Sequence, residues 1–277
     1  MAADFVRRYG RYAMITGASA GIGAEFARQL AHRGLNLVLT ARRHDPMQSL
    51  ADELIAAHGV HVRIVCVDLH DDGAVGFLAQ ETVGLDIGLV VLNAGVIETG
   101  PFLDTDVSAH SDLVTLNVLR TMQLAHVFGE RLVGRRGGGM ILVASLAGCT
   151  PAPYIAAYAA AKAYLMSLGQ ALRVEWRPAG VDVSVLAPGL VETPMLHTPG
   201  MRPDRTPFPI AAPQVVVTAA LDGLGRRPVV LVGAFNKLTD VLLRRALSRR
   251  LAARALTPVL RRLADVQAPT TRVPNVR

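Results

Sequence analysis

Lysine, cysteine and long apolar runs are scarce in this chain. Among 29 Lys+Arg residues only Lys162 and Lys237 are lysine, so a lysine inside a motif is informative. Two cysteines, Cys66 and Cys149, exclude a disulfide framework, and without a nearby histidine pair they predict no metal site. No run reaches the roughly 18 uncharged apolar residues of a membrane span, and the first residues lack an apolar core of signal-peptide length. We therefore expect a reducing compartment and a cytoplasmic location.

Positive charge is concentrated near the end of the chain. The net charge is +7, yet residues 237–277 hold ten Lys+Arg against two acids, a balance of +8. Residues 1–236 hold the remaining 19 basic and 20 acidic residues, a balance of −1. The body of the protein therefore has no electrostatic reason to bind nucleic acid, and none is expected as a partner.

Apolar runs alternate with helical patterns from end to end. The chain has 277 residues, of which 51% are hydrophobic, enough for one large core. The predicted strands are 12–16, 35–40, 60–67, 87–93, 138–144, 181–187 and 228–232. The predicted helices are about 22–33, 46–58, 74–83, 108–133, 155–177 and 213–225. This alternation indicates the α/β fold class, a doubly wound parallel sheet of about seven strands buried on both faces, and Cys66 is expected in its core.

A glycine-rich turn joins the first predicted strand to the first predicted helix. It contains Gly17, Gly21 and Gly23, where the backbone must turn sharply and approach a ligand closely. Exposed N–H groups at a helix N-terminus, together with the helix dipole, suit a pyrophosphate. The unit therefore predicts a Rossmann-type dinucleotide site, although the spacing G-x-x-x-G-x-G differs from the commoner G-x-G-x-x-G.

Tyr158 and Lys162 lie four residues apart in an Ala-rich run. Four residues are about one helical turn, so both side chains face the same way. An ammonium favours the phenolate form of a neighbouring tyrosine, which brings its pKa closer to neutrality. The pair predicts an acid/base group, although such pairs also occur on solvated helices without any function.

Together these motifs resemble the short-chain dehydrogenase/reductase family over roughly residues 10–235. Within it the chain is most similar to 3-oxoacyl reductases and hydroxysteroid dehydrogenases. The matching positions occur in the family's order. They are Thr16 to Gly23, Asp68, Asn93-Ala94-Gly95, Asn117, Ser145, Tyr158, Lys162 and Pro188 to Thr193.

The resemblance implies catalytic roles for four residues. Tyr158 would exchange a proton with the substrate oxygen, and Ser145 would hydrogen-bond the same oxygen. Lys162 would bind the nicotinamide ribose and lower the pKa of Tyr158. Asn117 would hold a water that links Lys162 to solvent.

The resemblance also implies a nicotinamide dinucleotide, held by residues from five loops. They are Gly17, Ser19, Ala20, Gly21, Ile22, Gly23, Arg42, Arg43, Asp68, Leu69, Asn93, Ala94, Gly95, Tyr158, Lys162, Pro188, Gly189, Val191 and Thr193.

The end of the second strand favours NADP(H) over NAD(H). NAD-binding proteins usually carry an acid there for the ribose 2′-hydroxyl. Here the strand is followed by Arg42 and Arg43, and guanidinium groups suit a 2′-phosphate. Ala20 stands where the family often has a second basic residue, so NAD(H) stays open.

The substrate region is apolar. No basic cluster lies near Ser145, and the Pro-rich loop 188–213 carries apolar side chains. We expect an apolar, fatty-acyl-like or steroid-like carbonyl or alcohol as substrate. The alternatives are a non-catalytic nucleotide-binding regulator and a membrane-associated adaptor on the same fold.

The chain is predicted to divide into three parts. Residues 1–235 form the dinucleotide-binding and catalytic domain, 236–266 form one or two basic helices broken near Pro258, and 267–277 are expected to be disordered. The basic segment either packs on the body, with its leucines recurring every four residues from Leu243 to Leu251, or meets an anionic membrane. The family resemblance implies a homodimer or homotetramer built on helices 108–133 and 155–177.

Overall fold

A computed structural model describes residues 2–241 and 248–266, and a parallel sheet forms its centre. In chain order its strands are β1 (Tyr12–Thr16), β2 (Asn36–Ala41), β3 (Val62–Cys66), β4 (Ile87–Leu92), β5 (Gly138–Val143), β6 (Val181–Ala187), β7 (Leu190–Val191), β8 (Ile210–Ala211) and β9 (Val229–Leu231). Seven of these described strands form one sheet in the order β3-β2-β1-β4-β5-β6-β9, and every pair is parallel. The predicted α/β fold is thus confirmed.

Helices cover both faces of this sheet. Over the described residues they are α1 (Ala2–Tyr9), α2 (Gly21–His32), α3 (His44–His58), α4 (Ala74–Glu81), α5 (Val107–Val114), α6 (Thr121–Arg135), α7 (Ala156–Trp176), α8 (Pro213–Gly223), α9 (Ala234–Val241) and α10 (Arg249–Leu263). Successive strand residues point to opposite faces, so Ile15 packs among residues of α2, α3 and α8, whereas Met14 packs among residues of α4, α6 and α7. This double burial explains the continuous apolar runs.

The order of the strands reverses between β1 and β4. The chain leaves β1 toward one edge of the sheet and returns through β4 toward the other. The loops after these two strands therefore diverge and leave a crevice at the carboxyl ends, which is where sheets of this kind bind ligands.

One local prediction was wrong, and two segments contain details that the sequence pattern did not indicate. β3 is an edge strand, so Cys66 is exposed and does not belong to the core. The helix predicted at about 108–133 is present, but a π-helical turn, Thr115–Arg120, joins α5 to α6. The loop 188–213 contains a short parallel pair, β7 with β8, which the apolar pattern did not indicate.

The C-terminal segment packs against the body. α10 runs through Pro258 without the expected break, and Thr257 Oγ1 donates a hydrogen bond to the Ala253 carbonyl (2.9 Å) one turn earlier. Apolar residues on both sides of Pro258 are buried, which offsets the backbone hydrogen bond that proline cannot make. The domain division at 235 stays a prediction, and this boundary falls inside α9.

Some predictions fall on other parts of the chain. The leucines Leu243 and Leu247 and the segment 267–277 lie outside the described residues. Within the described residues, none of the helices combines the length and the hydrophobicity needed to cross a bilayer.

Candidate active site

Ser145, Tyr158 and Lys162 line one apolar pocket. Ser145 follows β5, while Tyr158 and Lys162 lie on the first turns of α7, which begins beside the carboxyl end of the sheet. The Ser145 hydroxyl lies near enough to the Tyr158 phenol to lower the pKa of that group against the effect of burial. Sequence positions that are 13 and 17 residues apart thus meet at one point.

Lys162 is a buried cation with few partners. Its side chain is 3% exposed, and Nζ donates one hydrogen bond to the Val143 carbonyl at 2.9 Å. Nζ also lies 5.5 Å from the centroid of the Tyr158 ring. Burial lowers the pKa of Lys162 from 10.5 to about 8, because the charged form loses hydration that a single carbonyl does not replace.

The pKa of Tyr158 departs from the expectation. Burial raises the pKa of this phenol above its ordinary value, and the hydrogen bond with Ser145 opposes that rise. The expected lowering by Lys162 is thus not found in the protein alone. The physical reason is that desolvation of the phenolate dominates at this buried position.

A tight turn after β5 orients Ser145. Its backbone is extended, and its Oγ accepts a hydrogen bond from the Ala147 N–H at 3.2 Å, which caps a short 3₁₀ helix. The Leu146 N–H donates to the Pro188 carbonyl at 2.8 Å and so ties this turn to the loop after β6. The hydroxyl is therefore held at the pocket floor by backbone contacts on both sides.

Asn117 lies in the π-helical turn and is fully buried. Its Oδ1 accepts a hydrogen bond from the Val96 N–H (2.9 Å), and its Nδ2 donates to the Val96 carbonyl (2.8 Å). The side chain therefore braces the loop after β4. π-helical turns often occur at functional sites because they place side chains where a regular helix would not.

The glycine-rich turn is too tight for any side chain at Gly23. A Cβ there would lie 2.2 Å from the Gly17 carbonyl oxygen, far inside contact distance. Asn93 holds the same turn, because its Nδ2 donates to the Thr16 and Gly17 carbonyls at 2.9 and 3.2 Å. No side chain can occupy the turn at Gly23, and the first N–H groups of α2 suit a pyrophosphate.

A groove runs from this turn along the ends of β1, β2, β3 and β4. The predicted cofactor residues that line it are Gly17, Ser19, Ala20, Gly21, Ile22, Arg42, Arg43, Asp68, Leu69, Asn93, Ala94, Gly95 and Thr193. Tyr158, Lys162, Pro188, Gly189 and Val191 line the apolar pocket instead, and Gly23 lines neither cavity. Ile22, Asn93 and Thr193 line both, so the groove and the pocket are continuous.

Charged side chains mark one end of the groove. Arg43 Nη2 lies 3.4 Å from Ser19 Oγ, and Arg42 Nη1 lies 3.6 Å from Asp68 Oδ2. Burial alone would raise the pKa of Asp68, but hydrogen bonds from His70 and the charge of Arg42 bring it below its ordinary value. Asp68 is therefore ionised at neutral pH, and both guanidinium groups remain largely in solvent.

The sequence pattern did not indicate the part of the pocket that the C-terminal helices supply. Leu256, Leu260 and Leu263 of α10 form one wall, and Asn236 of α9 lies against Gly189, where a Cβ would be 2.6 Å from its Nδ2. The available signal was the i, i+4, i+7 spacing of the three leucines. Leu251, which belongs to the four-residue leucine repeat that begins at Leu243, is 50% exposed.

Loop 190–212 fastens the end of α10. The Arg202 N–H donates to the Leu263 carbonyl at 2.7 Å, and the Arg202 and Arg205 side chains pair with Asp265. The wall of the pocket that α10 forms is thereby connected to the loop after β6.

Comparison with known proteins agrees with this geometry. The family model described as short chain dehydrogenase matches residues 11–202. A very-long-chain 3-oxoacyl-CoA reductase of Podospora anserina is 36% identical over 228 residues, which cover 79% of this chain and 66% of that protein. A 7beta-hydroxysteroid dehydrogenase of Collinsella aerofaciens is 30% identical, covering 83% and 89%. A human protein named inactive hydroxysteroid dehydrogenase-like protein 1 is 31% identical, covering 80% and 68%.

Solved structures show the same architecture. A 7beta-hydroxysteroid dehydrogenase superposes with a TM-score of 0.83 at 27% identity, covering 91% of this chain and 99% of the other. A short-chain dehydrogenase from Sphingobium yanoikuyae in complex with NADPH has a TM-score of 0.76 at 27% identity, covering 96% and 99%. The chain belongs to the short-chain dehydrogenase family of oxidoreductases.

Proposed function

We propose that the chain is an NADP(H)-dependent oxidoreductase that interconverts a ketone and a secondary alcohol on an apolar substrate. One observation carries this proposal: Ser145, Tyr158 and Lys162 line one apolar pocket that adjoins the glycine-lined groove. A carbonyl oxygen placed between the two hydroxyl groups would accept a hydrogen bond from each.

Tyr158 acts as the general acid in reduction. Its proton passes to the substrate oxygen while Ser145 holds that oxygen in line, and the phenolate that remains lies close to Lys162. The nicotinamide cofactor, when bound, supplies the hydride to the carbonyl carbon. Burial favours the protonated phenol, so Tyr158 enters reduction with its proton in place. In oxidation the same phenolate accepts the proton of the alcohol.

Lys162 and Asn117 support this proton transfer. Lys162 would bind the nicotinamide ribose, and its pKa of about 8 allows it to carry or release a proton near neutrality. Asn117 would act through the Val96 loop that it braces, and it is a positioning residue in this proposal.

The first prediction concerns Tyr158→Phe. The substitution removes the proton and leaves the ring, so we expect kcat to fall about 10²–10⁴-fold while cofactor binding is retained. Ketone reduction by NADPH is followed spectrophotometrically, and cofactor affinity by calorimetry. Tyr164→Phe, on an exposed tyrosine of the same helix, is the matched control and should keep full activity. Full activity of Tyr158→Phe would end the mechanism.

Cofactor preference is proposed from Ser19, Arg42 and Arg43. All three line the groove near the end of β2, and Arg43 contacts Ser19; a ribose 2′-phosphate there would accept hydrogen bonds from both guanidinium groups and the hydroxyl. Asp68 is the neighbouring acid, and its pairing with Arg42 leaves Arg43 as the less neutralised cation.

The second prediction separates the two cofactors. Arg42→Ala and Arg43→Ala should each raise KM for NADPH roughly tenfold or more, with little change in kcat/KM for NADH, because only NADPH carries the phosphate. Arg63→Ala, on the edge strand, serves as the control for lost surface charge. Wild-type preference for NADH would contradict this assignment.

The substrate class is proposed from the pocket walls. Val143, Ile155, Leu190, Leu196 and Met201 line it together with the leucines of α10, and no charged side chain lines it except Lys162 among the described residues. Relatives named as reducing 3-oxoacyl-CoA or acting on hydroxysteroids support a fatty-acyl-like or steroid-like ketone. The chain spans 66% of the length of the Podospora relative, so its substrate does not transfer automatically.

A non-catalytic nucleotide-binding regulator is the competing proposal, since one relative is named inactive. The presence of Ser145, Tyr158 and Lys162 in one pocket favours catalysis, because a sensor needs no proton donor. A carbonyl panel of 3-oxoacyl thioesters and ketosteroids, scored by NADPH consumption, decides between the two.

Membrane contact through 236–266 stays a prediction, supported by the exposed Arg250, Arg254 and Arg262.

A further inference from the structure

A buried arginine lies at the end of the π-helical turn. Arg120 is 3% exposed, and its guanidinium donates to the Leu69 carbonyl (2.8 Å) and the His70 carbonyl (2.9 Å). It also pairs with Asp72 Oδ1 at 2.7 Å and donates to Gln123 Oε1 at 3.0 Å. A buried charge is costly unless its donors are satisfied, so this arrangement depends on all four acceptors.

Two of those acceptors belong to a wall of the dinucleotide groove. Leu69 and His70 line the groove, and Arg120 holds their carbonyls from the protein side. Three residues earlier, Asn117 holds both backbone polar groups of Val96, which lines the same groove. One π-helical turn therefore braces two loops of the groove at once.

The proposed 2′-phosphate site at Arg42 lies beside Asp68, so the wall formed by Leu69 and His70 would face the adenine, and we call it the adenine wall. We propose that Arg120 is a positioning residue for this adenine end of the dinucleotide groove. The proposal rests on the function proposed above. A planar guanidinium presents several N–H groups in one plane and can hold two carbonyls and a carboxylate together, which the single ammonium of a lysine cannot do in that geometry. Without Arg120 the segment from Leu69 to Asp72 loses three polar contacts to the body, and the adenine wall loses its shape.

The test compares nucleotides that have and lack adenosine. NADPH and adenosine 2′,5′-bisphosphate reach the adenine wall, whereas reduced nicotinamide mononucleotide does not. In Arg120→Met, the Kd values for NADPH and the bisphosphate, measured by calorimetry, should rise roughly tenfold to a hundredfold. The kcat/KM with reduced nicotinamide mononucleotide should stay within about twofold of the wild type.

Two further variants separate positioning from general damage. Asp72→Ala removes an exposed partner of Arg120 and leaves the core intact, so the folded variant should show a smaller loss of affinity in the same direction. Arg131→Met is the matched control. Arg131 of α6 also donates to two carbonyl groups, those of Ala79 and Thr82, but these lie at the end of α4, away from the groove. It should leave both nucleotide affinities unchanged.

The outcomes are distinct. Selective loss of adenosine-bearing nucleotides in Arg120→Met and Asp72→Ala supports the proposal. Unchanged affinities in both, or an equal loss with the mononucleotide, overturn it while the proposed function stands. If Arg120→Met does not fold, Asp72→Ala alone decides by the same criteria. A wild type that binds none of the nucleotides overturns the proposed function and this inference together.

Discussion

At the scale of single residues, burial of the Lys162 ammonium lowers the stability of the folded protein. The ammonium has lost its hydration and keeps one hydrogen bond to the Val143 carbonyl. A fall in pKa from 10.5 to about 8 corresponds to about 3 kcal/mol that the folded state loses relative to the unfolded chain when the lysine is charged. Such a cost is expected where activity, rather than stability, requires a residue.

Replacing Lys162 by methionine should stabilise the cofactor-free protein. We expect Lys162→Met to raise the free energy of unfolding at pH 7 by about 1–3 kcal/mol, the upper end being reached if the lost carbonyl hydrogen bond costs little. The variant should at the same time lose turnover. Urea-induced unfolding followed by circular dichroism measures the stability.

The stability that Lys162→Met gains over the wild type should decrease as the pH rises. Below pH 8 the lysine is charged in both states and the full cost applies. Between pH 8 and 10.5 the folded protein loses this proton before the unfolded chain does, so wild-type stability gains relative to the variant. The advantage of Lys162→Met should therefore shrink from pH 7 to pH 9.5. An advantage that grew over this range would contradict a depressed pKa.

At the scale of elements, α10 changes the meaning of the basic C-terminal segment. Its arginines dominate the sequence, but Leu260 and Leu263 are buried in a cluster with Tyr158, Ala152 and Ile155. The helix therefore helps to shape the pocket over the reacting group. The buried leucines of α10, rather than its arginines, line the pocket in which the proposed reaction takes place.

Enlarging the inner face of α10 should restrict the substrates. Leu260→Trp fills pocket space, so kcat/KM for a bulky ketosteroid should fall at least about tenfold while that for cyclohexanone changes little. Leu251→Trp, at an exposed position of the same helix, is the control. Equal losses on both ketones would mean that the helix supports the fold and does not select substrates.

At the scale of the whole molecule, one face of the helical layers is left apolar. Val114, Leu119, Met122 and Tyr164, on α5, the π-helical turn, α6 and α7, expose between 36% and 46% of their surface. These elements share one side of the sheet. A homodimer or homotetramer through this surface would remove it from water.

Charged substitutions on this surface should dissociate the assembly into monomers. The double variant Leu119→Glu/Met122→Glu is expected to elute as a monomer in light-scattering chromatography, whereas the wild type elutes as a multimer, because two carboxylates would be buried without partners. Val215→Glu, on α8 at the opposite face, should leave the assembly intact. A wild type that is monomeric at micromolar concentration would refute the predicted assembly.

Local patterns alone determined much of this protein. The apolar runs specified the strands, since a strand covered by helices on both faces must be apolar along its length. Gly23 and the Tyr158–Lys162 spacing indicated a dinucleotide turn and an acid/base pair, because those features depend on neighbours a few residues apart. The family resemblance added Ser145 and Asn117.

Only the tertiary structure decided the rest. Which strand lies at the edge, and hence the exposure of Cys66, depends on pairing across the whole chain. The packing of Leu260 in one cluster with Tyr158, and the hydrogen bond from Arg120 to the Leu69 carbonyl, join residues that no periodicity relates. The sign of the Tyr158 pKa shift likewise follows from burial, a property of the packed molecule that single side chains do not carry.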